Sequence, residues 1–246
     1  IMKDRFGATE PKALACRFHT QTAGSTLTAQ QIDNNVIRTT LQATAAVLGG
    51  TQSLHTNSKD EALALPTEES VRLALRTQQI IGYESGIPDV VDPLAGSYYI
   101  ESLCNDLEER ALELIQKIDD LGGSAKAIEQ EFQQNEIANS AFDYQKKVDN
   151  EENVIVGVNK FVSENTASPP LQAINPKAVE SQLIRLKGIR TSRDQSRVEN
   201  SLSKLQQAAE MNHCNLMPYI LSAVNEYATL GEISGKLKEI FGEYSG

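Results

Sequence analysis

Two polar stretches gather the side chains that could do chemistry. In "HTQTAGS", residues 19–25, a histidine, a glutamine and threonines lead into Gly24, and in "TQSLHTNSKDEALA", residues 51–64, a second run offers Gln52, Ser53, His55, Asn57, Asp60 and Glu61. Strand alternation puts His19 and Gln21 on one face and Phe18, Thr20 and Thr22 on the other, with Gly24 where a ligand can approach backbone. These groups are mostly neutral hydrogen-bonders, which suit holding a polar ligand more than activating water. There is no pair of carboxylates at acid/base spacing, no GxSxG elbow, no P-loop and no GxGxxG. Plainer readings stand beside this one. A strand-end histidine is roughly half the time a satisfied structural residue, and Gln, Thr and Ser there often complete caps and turns. Glu61 can be a solvated first-turn acid favoured by a helix dipole, and Tyr98-Tyr99 in "GSYYIE" reads as packing. Chemistry alone leaves the function nearly undetermined.

The elements that must position these residues alternate between short strands and amphipathic helices, the pattern of an α/β fold with a parallel sheet. "ALACRFHTQT" reads as a strand and "TAQQIDNNVIRTTLQATAAVLGG" as its helix, capped by Thr28 and stopped by Gly49-Gly50. "TQSLHTNS" is the next strand, and the helix after Pro66 has Thr67 and acidic residues in its first turn, with Val71, Leu75 and Gln78–Ile81 at helical spacing. A third βα unit is expected at "IPDVVDPLAGSYYIE", with Asp92-Pro93 and Gly96 breaking its strand and a leucine-rich helix following. A further helical stretch over 124–150 leads to "ENVIVGVNKF", an extended apolar segment. Ser, Thr, Asn and prolines across Ser163 to Pro176 then mark a linker or hinge. Beyond it, Ala178 to Gly246 reads as two or three helices. The expected division is residues 1–162 and 163–246.

Composition bounds the rest. The chain has 246 residues, 40% hydrophobic and 23% charged, as an ordinary globular protein does. A formal charge of −10, with no run of Lys or Arg, disfavours a nucleic-acid-binding surface. No apolar run nears the ~20 residues that span a membrane. Cys16, Cys104 and Cys214 lack any CxxC spacing, which points away from a zinc site or disulfide framework and toward a reducing, cytoplasmic setting. Ile1 precedes Met2 and charged, loop-like sequence follows, so the start reads as the interior of a longer polypeptide. Strands at the ends of three such units would be open edges, which implies a missing partner.

The stretch from "RFHTQTAGSTLTAQQ" to "QQIIGYESG", together with "DPLAGSYYIE", "VIVGVNKF", "GIRTSRDQ" and "GEISGKLKEIFGEY", closely resembles the substrate-binding subunit of the methylmalonyl-CoA mutases and related acyl-CoA mutases; "GGTQSLHTNSKDEALALPT" is the most specific part. The resemblance implies a TIM-barrel isomerase that rearranges the carbon skeleton of an acyl-CoA by radical chemistry, with adenosylcobalamin as radical source. On it, the chain looks like strands six to eight of the barrel, followed by the helical region that links the barrel to a cobalamin-binding domain. By motif, Gln21 and Gly24, then Asn57, Glu61 and Ala64, match positions near the corrin or adenosyl group. Ser53 and His19 match positions that approach the acyl-CoA. Glu61 is the foremost of these, as a partner for the adenosyl ribose.

Two departures bear on this. The family signature often has a tryptophan where this chain has Ser25, a feature of some relatives whose cobalamin subunit is separately encoded. No DxHxxG run occurs, and the substrate-selecting arginine and the tyrosine–histidine pair belong to the earlier half of the barrel. Catalytic residues are therefore expected outside this chain, and turnover is expected only with partners: the amino-terminal half of the barrel and a cobalamin-binding domain or small subunit, as part of an oligomer. Rival readings are a mutase for isobutyryl-, ethylmalonyl- or 2-hydroxyisobutyryl-CoA, and a non-catalytic assembly fragment.

Overall fold

The computed structural model describes residues 1–163 and 170–243. The chain forms two compact units, Ile1–Gln172 and Ala173–Gly246. The interior of the expected linker, residues 164–169, lies outside the described residues.

The first unit is α/β. A single helical turn, α1 (Pro11–Leu14), occupies the region expected to open the first strand, because Pro11 takes the first helical position, where its missing N–H costs nothing. The strand is accordingly short: β1 spans His19–Gln21 and pairs in parallel with β2, Ser53–His55. The register sets His19 opposite Ser53, Thr20 opposite Leu54 and Gln21 opposite His55.

Between the strands runs α2 (Asn34–Leu48), ended at Gly49 with Gly50 in the left-handed region. Thr28 does not cap it. Gln31 has a positive φ of 46°, which breaks helical continuity, so the helix starts six residues after Thr28. The Thr28 hydroxyl donates instead to the Gln30 carbonyl. The next helix, α3 (Glu68–Glu84), starts as its sequence predicts: the Thr67 hydroxyl accepts from the Ser70 N–H, and Glu68 and Glu69 sit in the positive first turn.

No third strand forms among the described residues. Residues 87–89 make a 3₁₀ turn, Asp92 and Gly96 take left-handed φ values of 47° and 79°, and Pro93 has no N–H to give a ladder. The sheet therefore has two strands, not three. The helix α4 (Tyr98–Asp120) begins at the tyrosine pair, and both rings are largely solvent-exposed rather than packed. Two further helices, α5 (Ser124–Glu129) and α6 (Phe132–Asp149), follow. The "ENVIVGVNKF" segment is a turn closed by an isolated bridge between Val156 and Lys160, not an extended strand. Gly157 at that turn has φ 83°, which favours glycine, and a Cβ there would stand 2.9 Å from Gln31 Cδ and displace that side chain.

What lies between sheet and helices is unusually polar. Thr22, Asn35, Thr39, Thr56, Asn57, Ser58 and Asp60 are buried, beside the apolar Leu27, Ala43 and Ile81. Buried polar groups are stable when paired, and Thr22, Asn35, Asn57 and Asp60 are tied in by the bonds described below.

Among the described residues the second unit has four helices rather than two or three. They are α7 (Pro176–Ser192), α8 (Gln195–Ala209), α9 (Met217–Asn225) and α10 (Leu230–Phe241). Val198, Leu202 and Leu205 of α8, Ala223 of α9 and Ile233 of α10 form its core. Thr229 and Glu232 form a capping box at the start of α10. Arg193 binds the same Glu232 through two hydrogen bonds of 2.5 and 2.7 Å and also donates to the Tyr227 carbonyl.

Candidate functional site

The carboxyl ends of β1 and β2, where the polar stretches meet their helices, form the candidate site. Short parallel strands expose alternate residues, so His19, Gln21, Ser53 and His55 share the outward face while Thr20 and Leu54 turn inward. His19 Nδ1 and Ser53 Oγ are hydrogen-bonded at 2.7 Å, the donor being set by the imidazole tautomer. Gln21 lies beside His55 by register.

Just past the strands the backbone of β1 turns through a 3₁₀ segment, Gly24–Thr26, against the loop after β2. Here the structure brings three of the expected residues together. A Cβ added to Gly24 would stand 3.2 Å from Asn57 Nδ2 and 3.2 Å from Glu61 Oε1, so an absent side chain leaves room for an amide and a carboxylate to come close. Asn57 is buried and held from both sides. Its side-chain oxygen accepts from the Thr22 hydroxyl at 2.7 Å, and its backbone N–H donates back to that hydroxyl at 2.9 Å. The amide nitrogen is thereby turned toward Gly24. Glu61 itself is exposed.

The loop carrying these groups is braced from α2 and α3. Asn35, fully buried, donates to the Lys59 and Thr28 carbonyls, both at 2.9 Å, and its oxygen accepts from Arg38 at 2.7 Å. Asp60 accepts from the Thr67 N–H at 3.0 Å. Burial pushes the Asp60 carboxyl up, but the nearby Ser58 hydroxyl, the Thr67 N–H and the Ser70 hydroxyl outweigh it and hold the group below its ordinary value. Asp60 thus stays ionised as a brace. Ala64 is placed by this brace, through its N–H to the Asp60 carbonyl at 3.1 Å.

A cavity of about 360 Å³ opens beside the cluster, lined on one side by His55 and Glu61 and on the other by Val71, Ala74, Leu75 and Gln78 of α3. A larger groove lies on α2 and shares none of the cluster's residues. Among the described residues no three His, Cys, Asp or Glu side chains are grouped to hold a metal ion. The arrangement can therefore orient a hydroxylated ligand through one carboxylate, one fixed amide and a tight glycine turn.

The polar residues Thr22 and Asn35 are as important to this geometry as the outward-facing ones. Alternation put Thr22 on the inner face, which hid its part in holding Asn57. Asn35 sits in "IDNNVIR", where a buried amide amid a helical pattern was the available signal.

A family model described as methylmalonyl-CoA mutase matches residues 1–243. The chain is 44% identical to the 2-hydroxyisobutanoyl-CoA mutase large subunit of Aquincola tertiaricarbonis, over 99% of this chain and 44% of that protein. It is 47% identical to the methylmalonyl-CoA mutase of Escherichia coli over 97% of this chain and 34% of that protein. Against the human mitochondrial methylmalonyl-CoA mutase the identity is 43%, over 99% of this chain and 33% of that protein. This sequence spans a third to somewhat under half of the length of these relatives. With a match that runs through nearly all of its residues, the chain belongs to the methylmalonyl-CoA mutase family.

Proposed function

We propose that this chain is part of an adenosylcobalamin-dependent acyl-CoA mutase and supplies one wall of its site, most simply for the interconversion of methylmalonyl-CoA and succinyl-CoA. The Gly24–Asn57–Glu61 cradle carries this reading. A carboxylate and an amide held beside a glycine turn match a vicinal diol such as a ribose, since the carboxylate accepts from hydroxyls and the amide both donates and accepts. Glu61 and Asn57 hold the adenosyl group, Gly24 keeps that position open, and Gln21 and Ala64 face the corrin. His19 and Ser53, already paired, orient the acyl-CoA. When bound, adenosylcobalamin supplies the radical that drives the rearrangement. The neutral side chains bind and orient rather than move protons, as a radical migration requires.

In this reading residues 1–162 belong to the later part of a TIM barrel, contributing two of its strands, and residues 163–246 form the helical link toward a cobalamin-binding domain or subunit. The amino-terminal part of the barrel brings the catalytic residues and the choice of substrate. Three cysteines and relatives both bacterial and mitochondrial fit a reducing compartment, for which we take the cytoplasm. No helix among the described residues is long and apolar enough to cross a membrane.

A second substrate is favoured by one observation: identity to the 2-hydroxyisobutanoyl-CoA mutase subunit, 44%, falls between that to the human and E. coli methylmalonyl-CoA mutases, 43% and 47%. A dicarboxylic substrate needs a cation for its free carboxylate, and that residue lies in the part of a mutase this chain does not span.

The test is a full-length chimera in which this sequence replaces the matched span of the E. coli enzyme. Succinyl-CoA formed from methylmalonyl-CoA with added adenosylcobalamin supports the reading. A folded chimera that neither binds adenosylcobalamin nor turns over overturns it.

A further inference from the structure

The segment between β1 and α2 folds back along the helix that follows it. Asn35, Arg38 and Gln42 recur at i, i+3 and i+7 on α2 and so share one face, and each is bonded within residues 23–28. At the near end Asn35 holds the Thr28 N–H at 3.1 Å and the Thr28 carbonyl at 2.9 Å, and Arg38 donates to the Thr28 hydroxyl at 3.0 Å. At the far end, beside Gly24, the grip is Gln42. Its side-chain oxygen accepts from the Ala23 N–H at 2.7 Å, and its amide nitrogen donates to the Thr26 hydroxyl at 2.7 Å. That hydroxyl donates in turn to the Ala23 carbonyl at 2.7 Å, which closes a ring of bonds across the 3₁₀ turn.

The partners fix which way the amide points. The Ala23 N–H can only donate, and the Thr26 hydroxyl, its hydrogen given to the Ala23 carbonyl, needs a donor, so the oxygen faces Ala23 and the nitrogen Thr26. The turn depends on this ring. The bonds from β1 to β2 end one residue earlier, with the Thr22 N–H on the His55 carbonyl at 3.0 Å. Ala23, Ser25 and Thr26 are exposed, so packing does not hold the turn, and its own bonds, Thr26 N–H to Ala23 and Leu27 N–H to Gly24, shape it without tying it to another element. We infer that Gln42 is a positioning residue for the site. It sets how far the Gly24 turn stands from Asn57 and Glu61, and through that the fit of the group the cradle holds. The tolerance is small: a Cβ on Gly24 would already stand 3.2 Å from both partners, and a shift of about 1 Å at a positioning group is enough to cost on the order of a hundredfold. The β2 side of the cradle is braced by Asn35 through the Lys59 carbonyl, and the β1 side by Gln42, so one face of α2 sets both walls.

The inference rests on the reading of this chain as part of a mutase, in which the held group is the adenosyl moiety, and two measurements on the full-length chimera keep them apart. The first needs no cofactor. With Gln42→Met, which keeps the length and loses both bonds, hydrogen exchange in residues 23–27 should quicken at least fivefold while residues 56–64 exchange as before. Unchanged exchange in residues 23–27 overturns the inference, whatever the chimera binds. The second compares adenosylcobalamin with hydroxocobalamin, which has the same corrin and no adenosyl group. Gln42→Met should weaken adenosylcobalamin binding at least tenfold and hydroxocobalamin binding less than threefold, a selectivity that general loosening of the fold would not produce. Gln42→Glu keeps an acceptor for the Ala23 N–H and lets the Thr26 hydroxyl turn to donate to it, so it should restore adenosylcobalamin binding to within threefold. Equal losses for the two cobalamins, or none, overturn the inference. Where Gln42→Met does not fold, Thr26→Val removes one arm of the ring from an exposed position and should show the same selectivity, at least threefold. A wild-type chimera that binds neither cobalamin sinks the mutase reading, and the exchange result still decides the brace.

Discussion

At the scale of single residues, the cradle makes two distinct demands. Glu61 is the one charged acceptor beside Gly24, and it is exposed, so removing its charge should not unfold the chain. Glu61→Gln keeps the shape and loses a charge-assisted acceptor, an interaction of roughly 1.5–3 kcal/mol, or about ten- to a hundredfold in turnover. In the full-length chimera we expect that loss in kcat, with the KM for acyl-CoA changed less than threefold; a KM effect alone would move Glu61 to the acyl-CoA side. Gly24→Ala asks the complementary question. Its φ lies outside the left-handed region, so the backbone tolerates alanine, but the methyl would meet Asn57 and Glu61 at 3.2 Å. Equilibrium titration should show adenosylcobalamin binding weakened about tenfold or more, with circular dichroism and the melting temperature nearly unchanged, on the order of 1 kcal/mol for a displaced charged contact. Unaltered affinity would show that the space beside Gly24 is not used.

At the scale of elements, position is held by polar bridges rather than by apolar contact. Asn35 joins the start of α2 to both the Thr28 turn and the Lys59 carbonyl of the loop that carries Asn57 and Glu61. Asn35→Ala strands those half-buried carbonyls and the Thr28 N–H, at a cost of about 1–3 kcal/mol. Chemical denaturation should register that loss, and hydrogen exchange should quicken first in residues 56–64; uniform exchange would mean that Asn35 stabilises the unit without bracing the loop. The same polarity explains what the sequence did and did not disclose. Helices α2 and α3 were legible from apolar spacing, from Thr67 and from Gly49-Gly50, which are local signals. The site residues were legible as a polar cluster and by resemblance, yet Thr22 and Asn35 were not, because their partners lie 35 and 24 residues away. The third strand does not form because Asp92-Pro93 and Gly96, expected only to interrupt it, bend the backbone more strongly than Ile87, Val90 and Val91 favour extension. Thr28 has the residue type of a cap, but the left-handed Gln31 moves the helix start beyond its reach.

At the scale of the whole molecule, the two units respond to acid for different reasons. In the first, the exposed ion pairs are solvent-screened and contribute little, as the Arg72–Glu68 pair on α3 illustrates. In the second, Glu232 joins the capping box of α10 to Arg193, whose side chain is 4% exposed. The Arg193 guanidinium, opposed by burial and aided by the Thr229 N–H and hydroxyl, holds the Glu232 carboxyl down to about 2, from an ordinary 4.5. Because the folded state lowers this value, the stabilisation is complete above about 4.5 and disappears as the pH falls from there toward 2. Its full size is of order 3 kcal/mol, and somewhat less for a partly exposed carboxylate. Glu232→Gln keeps the capping-box shape, since glutamine serves at that position, but leaves Arg193 buried without its countercharge. Urea unfolding of the second unit, followed by hydrogen exchange in α8 and α10, should therefore separate wild type from Glu232→Gln by about 2–3 kcal/mol at pH 6 and by progressively less between pH 4.5 and 3. A difference that stays constant across that range would mean that Glu232 stabilises the unit through its cap geometry and not through its charge. The first unit should show no such convergence, because the depressed carboxyl described there, Asp60, is untouched by the substitution.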